Sequence, residues 1–220
     1  LVWTYKEAML PESFPSSLLI VGSGAIGIEF ASFYRSLGAE VTVVEMLPRI
    51  LPPEDEEISN LARKAFAKQG IRFHTGTRVE RLTEKLGHVS AALRKADGVL
   101  EEVTAERVIL AIGITGNVEG LGLEALGVQI DKGHIVVDEW GRTGAPGLYA
   151  IGDVAGPPWL AHKASHEGIA CVEKIAGVAG AHPLDRTAIP SCTYSSPQIA
   201  SVGLTETEAR RAGHDLKIGR

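Results

Sequence analysis

Residues 18–45, LLIVGSGAIGIEFASFYRSLGAEVTVVE, constrain the fold of the chain more than any other stretch. The apolar run Leu18 to Val21 reads as a buried strand and feeds directly into Gly22-Ser23-Gly24-Ala25-Ile26-Gly27, a G-x-G-x-x-G turn. A helical pattern follows, with Ile26, Phe30, Phe33 and Leu37 taken as its apolar face, and Gly38 stops it. Val41–Val44 forms a second strand that ends at Glu45, 18 residues beyond Gly27. Strand, glycine turn, helix, strand and acid in that order form a dinucleotide-binding unit. Gly22 permits the tight turn, Gly24 lets a pyrophosphate approach the backbone, and Gly27 lets the helix pack on the sheet. The unpaired N–H groups and positive dipole end of the helix then face phosphate. Glu45 can accept from both hydroxyls of an adenosine ribose and would repel a 2′-phosphate, so the pattern predicts NAD over NADP.

The remaining composition suits this reading. The 220 residues are 45% hydrophobic and 22% charged with 25 glycines, as in an α/β protein of one to two domains. A net charge of −5 with no basic stripe argues against a nucleic-acid partner. No apolar run approaches the roughly 18 residues of a membrane span, which argues against a membrane partner. Two cysteines, Cys171 and Cys192, are too few for a disulfide framework and too far apart for a redox pair or zinc knuckle, which fits a cytoplasmic, reducing location. Cys171, in an apolar helical stretch, reads as a small buried hydrophobe. The chain opens at Leu1 rather than Met and ends where the pattern starts a new strand, so an internal fragment is expected.

Further along, the acids Glu54 to Glu57 load the first turn of a second helix, with Ile58, Leu61, Ala65 and Phe66 as its core face. Ile71–Thr75 is the next strand, 78–103 alternate as an antiparallel meander, and Val108–Ile112 is a further buried strand ending at Gly113. Downstream, a strand over Leu148–Ile151 leads to Gly152 and Asp153, where an acid at the carboxyl end of a strand meets ligands of α/β sheets. Asp153 reads equally as a turn or helix-capping residue. Leu160–Ala176 is a helix whose N-terminus suits an anion such as the N1–C2=O edge of a reduced flavin. His162 and His166 share a helix face, but Glu167 follows the pair instead of lying inside it, against a metal site.

Thr143 with YAIGD (149–153), followed by LAHKASHEG (160–168), resembles the second flavin-binding signature of the pyridine nucleotide–disulfide oxidoreductase family. VGSGAIGIE with VTVVE resembles its NAD site, and GLGLEALGV and IPSCTYSSPQIASVGLTE resemble later stretches of its dihydrolipoamide-oxidising branch. The resemblance covers nearly the whole chain and implies NAD and FAD as cofactors. It implies a connecting segment at 1–11 and a Rossmann-like NAD-binding domain at 12–115, a parallel sheet with an antiparallel meander. A central FAD-contacting segment follows at 116–186, and the start of an α+β dimerisation domain at 187–220. The turn and helix start Gly22, Ser23, Gly24, Ala25, Ile26, Gly27 to Glu29 would hold the NAD pyrophosphate, Glu29 lying near the nicotinamide. Taken alone, Glu29 is equally a dipole-favoured acid in a first helical turn. Glu45 would bind the adenosine ribose, and Val79 and Gly113 would line the same cleft. Asp153 would take a ribitol hydroxyl of FAD, with Trp159, Leu160, Ala161 and His162 against the isoalloxazine.

Two departures stand out: Ile114-Thr115-Gly116 where the family commonly has Arg-x-Pro, and Trp159 where it commonly has Met. The family's Cys-x4-Cys disulfide and its His–Glu acid/base pair do not occur in 1–220, so no catalytic residue is assigned here. The resemblance implies a homodimeric parent that serves the lipoyl domain and core subunit of a 2-oxo acid dehydrogenase complex. The fragment alone is expected to bind NAD(H) without activity. The other readings are a sister flavin disulfide reductase, a non-catalytic NAD/FAD scaffold, or a simple NAD dehydrogenase, which YAIGD disfavours.

Overall fold

The computed structural model describes residues 1–220. The chain divides into two compact units, Leu1–Gly113 with Cys192–Arg220, and Ile114–Ser191.

In the first unit, β1 (Val2–Trp3), α1 (Tyr5–Met9), β2 (Ser17–Val21), α2 (Ala25–Ser36), β3 (Glu40–Val44), α3 (Glu56–Lys68) and β4 (Arg72–His74) follow in order. The meander is β5 (Thr77–Lys85), β6 (His88–Lys95) and β7 (Leu100–Ala105), and β8 (Arg107–Leu110) returns to the first sheet. That sheet is parallel throughout, in the order β1-β8-β2-β3-β4. From β2 the chain moves to β3 and β4 on one side, while β8 and β1 lie on the other. The glycine turn after β2 therefore sits at the carboxyl edge where strand order reverses, the usual ligand position of such sheets.

Burial on both faces explains the unbroken apolar strands. Leu18, Ile20, Val41, Val43 and Ile109 face Ile28, Ala31, Tyr34, Ala62 and Phe66 of the helices. Leu19, Val44 and Val108 face Val89, Ala91, Leu93 and Ala105 of the meander. Tyr34 is wholly buried, and its hydroxyl donates to Ala8 O at 2.6 Å, which ties α1 down. Burial also pushes the Tyr34 phenol above its ordinary pKa. Tyr34→Phe leaves the buried Ala8 carbonyl without this donor, so we expect a loss of about 1–2 kcal/mol in denaturant unfolding with little change in the ring packing.

Two helix faces differ from the sequence expectation. On α2 the buried residues are Gly27, Ile28, Ala31, Ser32 and Tyr34, whereas Ile26, Phe33 and Leu37 are exposed and only Phe30 is half-buried. The helix carries apolar residues on both stripes, and the small ones win because Gly27 and Ala31 admit the closest approach to the sheet. On α3, Ser59, Ala62 and Phe66 are buried and Ile58 and Leu61 are exposed, so the true face is turned by about one residue. The C-terminal stretch of this unit holds β11 (Ser191–Thr193), paired with β12 (Ile199–Ser201), and α5 (Glu206–Arg211) behind a Thr205–Glu208 capping box.

The second unit carries a small hairpin, β9 (Ile130–Asp131) and β10 (His134–Ile135), and the long helix α4 (Ala161–Ala176). Its core gathers Val118, Leu123, Val128, Ile135 and Ala150. Leu148–Ile151 is not a regular strand, contrary to expectation. It makes one isolated bridge, Tyr149 to Arg142, and Ala150 N donates to Gly141 O at 2.8 Å. Ile151 keeps extended dihedrals, but a strand needs a neighbour along its length, and only the 141–143 backbone supplies one. A 3-10 turn, Gly152–Ala155, follows. No helix is long and apolar enough to cross a membrane.

Candidate functional site

The nucleotide turn is assembled by close backbone contacts. Gly22 N donates to Val44 O at 2.8 Å, and a Cβ added at Gly22 would lie 2.2 Å from Ala111 O. Its φ of +104° is the left-handed region that favours glycine. A Cβ at Gly27 would lie 2.1 Å from Gly22 O, so the helix rests on the turn itself. Gly24 is different: a Cβ there would meet nothing within 4 Å. It caps α2, whose first helical bond runs from Ile28 N to Gly24 O at 3.0 Å. The amides of Ala25, Ile26 and Gly27 precede that bond and lie beside the open space at Gly24. Two glycines are thus structural and the middle one leaves room, as an anion approaching the backbone requires.

Glu45 stands at the end of β3, only 9% exposed. Its Oε2 accepts from Ser23 N at 2.9 Å and Ser23 Oγ at 2.7 Å, and its Oε1 accepts from Leu47 N at 2.8 Å. The acid and the turn are therefore one hydrogen-bonded piece. A carboxylate has about four acceptor positions, so three bonds leave roughly one, on Oε1. Gly113 is exposed, with φ +111° and open space beside it, two residues after the Ala111 that packs on Gly22. Glu29 is half-buried in α2, and its Oε1 accepts from Tyr194 N at 2.8 Å. Val79 belongs to the meander, half-buried against the Leu19–Val44 cluster. Gly22, Ser23, Gly27 and Glu45 are thus joined directly, Gly113 through Ala111, and Val79 only through the core.

The second group lies in the second unit. Asp153 is exposed in the 3-10 turn, and its carboxylate takes no hydrogen bond from the chain. Trp159 stacks on His134 with ring centroids 5.7 Å apart and donates from Nε1 to His134 Nε2 at 3.1 Å. Leu160 caps α4 and Ala161 is its first, exposed residue. His162 is exposed, with Nε2 donating to Pro190 O at 2.8 Å. A cavity of about 550 Å³ opens in this unit between the His134–Trp140 stretch, Ile151 and Pro157, with Glu167 and Arg186 at its edge. Asp153, Trp159, Leu160, Ala161 and His162 do not line it, so it is not the predicted flavin edge. No cluster of three or more His, Cys, Asp or Glu side chains is arranged to hold a metal.

One pair escaped the sequence reading. Lys163 is 1% exposed, and its Nζ lies 3.2 Å from Glu167 Oε1. Their i, i+4 spacing inside LAHKASHEG was the available signal. Burial of the lysine, which gives the pair its meaning, is invisible to periodicity.

The family comparison decides the class. Residues 2–168 match the family described as "Pyridine nucleotide-disulphide oxidoreductase", and residues 189–220 match its dimerisation domain. The chain belongs to this family. Among curated pyridine nucleotide-disulphide oxidoreductases, it is 54% identical over 220 residues to "Dihydrolipoyl dehydrogenase" of Rhizobium etli, covering all of this chain and 46% of that protein. It is 51% identical to the protein of the same name from Zymomonas mobilis, covering 99% of this chain and 47% of that one. LpdA from Mycobacterium tuberculosis superposes with a TM-score of 0.85 at 31% identity, over 95% of this chain and 45% of that one. The HOCl-induced flavoprotein disulfide reductase RclA from Escherichia coli gives 0.87 at 26%, over 97% and 48%. The chain spans about half the length of the curated relatives it matches. A disulphide oxidoreductase needs a reactive cysteine pair, and this chain's cysteines are both free thiols. Cys171 is buried, and burial, helped by the Asp138 charge, pushes its thiol upward, away from the reactive thiolate.

Proposed function

We propose that the full-length protein carrying this chain is a dihydrolipoamide dehydrogenase, which oxidises protein-bound dihydrolipoamide and reduces NAD⁺. The nucleotide half rests on one observation: open space at Gly24, beside free amides, with a carboxylate locked to the same turn. The residues fit an NAD pyrophosphate and ribose. Ala25, Ile26 and Gly27 would donate to the phosphates, and Glu45 Oε1 would accept from the ribose. The substrate half rests on the relatives' shared name.

FAD fits the second group in part. Asp153 offers an exposed carboxylate for a ribitol hydroxyl, and Trp159 to His162 offer an aromatic face and the start of α4. Bound flavin supplies the two-electron chemistry between a dithiol and nicotinamide. The positive end of α4 favours negative charge placed beside it. On this reading residues 12–115 form the NAD-binding domain, 116–186 contact FAD and 187–220 begin the dimer interface. The parent is then a cytoplasmic homodimer that meets the lipoyl domain and core subunit of a 2-oxo acid dehydrogenase complex.

The test is an assay of the full-length protein with dihydrolipoamide and either NAD⁺ or NADP⁺ at matched concentrations. Placing a 2′-phosphate near Glu45 juxtaposes like charges, so NAD⁺ should be favoured on the order of 100-fold or more. A flavin spectrum without dihydrolipoamide turnover would move the protein to a sister disulfide reductase.

A further inference from the structure

We propose that Lys163 and Glu167 are positioning residues for the flavin, a buried ion-pair clamp that sets the turn presenting Asp153. The proposal rests on the reading that Asp153 holds the flavin. The Lys163 ammonium donates to Gly152 O at 3.0 Å and Gly156 O at 2.7 Å and is ion-paired with Glu167 Oε1 at 3.2 Å. Glu167 Oε2 accepts from Gly152 N at 2.8 Å. Arg186 lies 3.8 Å from Glu167 Oε1 on the outer side. Both ends of the Gly152–Gly156 turn are therefore gripped by one face of α4.

The turn is set in a conformation only its glycines allow, with φ +74° at Gly152 and +99° at Gly156. A Cβ at Gly152 would lie 3.1 Å from the Ala164 Cβ, so the backbone is pressed onto the helix. Every polar group the clamp touches is satisfied inside the protein. The Asp153 carboxylate alone points to solvent without a partner from the chain. Holding α4 to this turn does not require charge. A buried ion pair is a poor stabiliser beside apolar side chains of equal volume. Fixing three backbone atoms of one turn is what this pair does and an apolar pair cannot.

The experiment uses the full-length protein stripped of flavin, with FAD affinity read from flavin fluorescence and melting temperature read separately on the apo form. The double variant Lys163→Met, Glu167→Leu keeps the volume apolar. It should raise the FAD dissociation constant at least tenfold. Because it leaves Gly152 N, Gly152 O and Gly156 O without partners, the apo melting temperature should fall as well, so affinity is compared at a temperature where the apo form is folded. Glu167→Gln is the milder second variant should the double variant not fold. Asp153→Ala should weaken FAD by a similar factor. Because the clamp acts through Asp153, adding Glu167→Gln or the double change to Asp153→Ala should cost little more.

Losses that multiply in the combined variant would overturn the clamp's route through Asp153. So would unchanged FAD affinity in the clamp variants while Asp153→Ala weakens it, and that result leaves the flavin reading standing. No effect of Asp153→Ala would overturn the flavin reading, and the proposal with it.

Discussion

Gly22→Ala is expected to destabilise the first unit by about 3 kcal/mol or more and to abolish nucleotide binding with it, whereas Gly24→Ala should weaken binding at least tenfold and leave stability nearly intact. The contrast follows from what a methyl group meets. At Gly22 it meets a carbonyl oxygen at 2.2 Å, and the residue must also hold φ +104°. Left-handed strain costs roughly 1–3 kcal/mol and overpacking about as much again. Neither term can relax cheaply, because the obstacle is the Ala111 backbone, bonded through Ala111 N to Val21 O at 2.8 Å. At Gly24 the methyl meets nothing, and φ −66° is ordinary for alanine.

Gly24→Ala therefore changes only the space into which a pyrophosphate would come. Denaturant unfolding and NADH fluorescence titration on each variant separate the two effects. We expect Gly24→Ala to unfold within about 0.5 kcal/mol of the parent. Its NADH affinity should fall at least tenfold. Equal NADH binding by Gly24→Ala and parent would show that the open space is not the pyrophosphate site.

How far the sequence discloses this arrangement depends on what kind of information each feature carries. The strand–turn–helix–strand order from Leu18 to Glu45 was legible because glycine spacing and apolar runs are local signals. The meander was legible for the same reason, its alternation being a period of two. The buried faces of α2 and α3 were not. Both helices offer more than one apolar stripe, and the choice between Phe33 and Tyr34, or Leu61 and Ala62, is made by the sheet against which they pack. Leu148–Ile151 carries strand-like residues without a paired strand, since composition reports an edge but not its neighbour. Lys163 was hidden for a further reason: a lysine in a helix reads as solvated, and only the carbonyls of Gly152 and Gly156 make its burial sensible.

Glu45 was legible as an acid at the right place, but not as part of the turn, and this second role sets its mutational behaviour. Glu45→Ala removes the acceptor of Ser23 N, Ser23 Oγ and Leu47 N at once. Ser23 is wholly buried, so its two donors lose their partner without gaining water. Each unsatisfied buried donor costs about 1–3 kcal/mol, so a loss of roughly 2–6 kcal/mol in unfolding is expected. Loss of NAD binding in that variant then reports a disordered turn as much as a missing ribose contact. Glu45→Gln separates the two. It keeps one acceptor oxygen, which can stay with Ser23, and it removes the negative charge. Stability should fall by less than in Glu45→Ala, and NAD⁺ affinity should fall about tenfold for a charged hydrogen bond made neutral. NADP⁺ affinity should rise relative to NAD⁺, because the repulsion of the 2′-phosphate is gone. Binding of both nucleotides measured by titration, together with the unfolding midpoint, reads these outcomes in parallel. A preference for NAD⁺ over NADP⁺ unchanged in Glu45→Gln would place the origin of selectivity elsewhere on the carboxyl edge and leave Glu45 as a purely structural brace for the glycine turn.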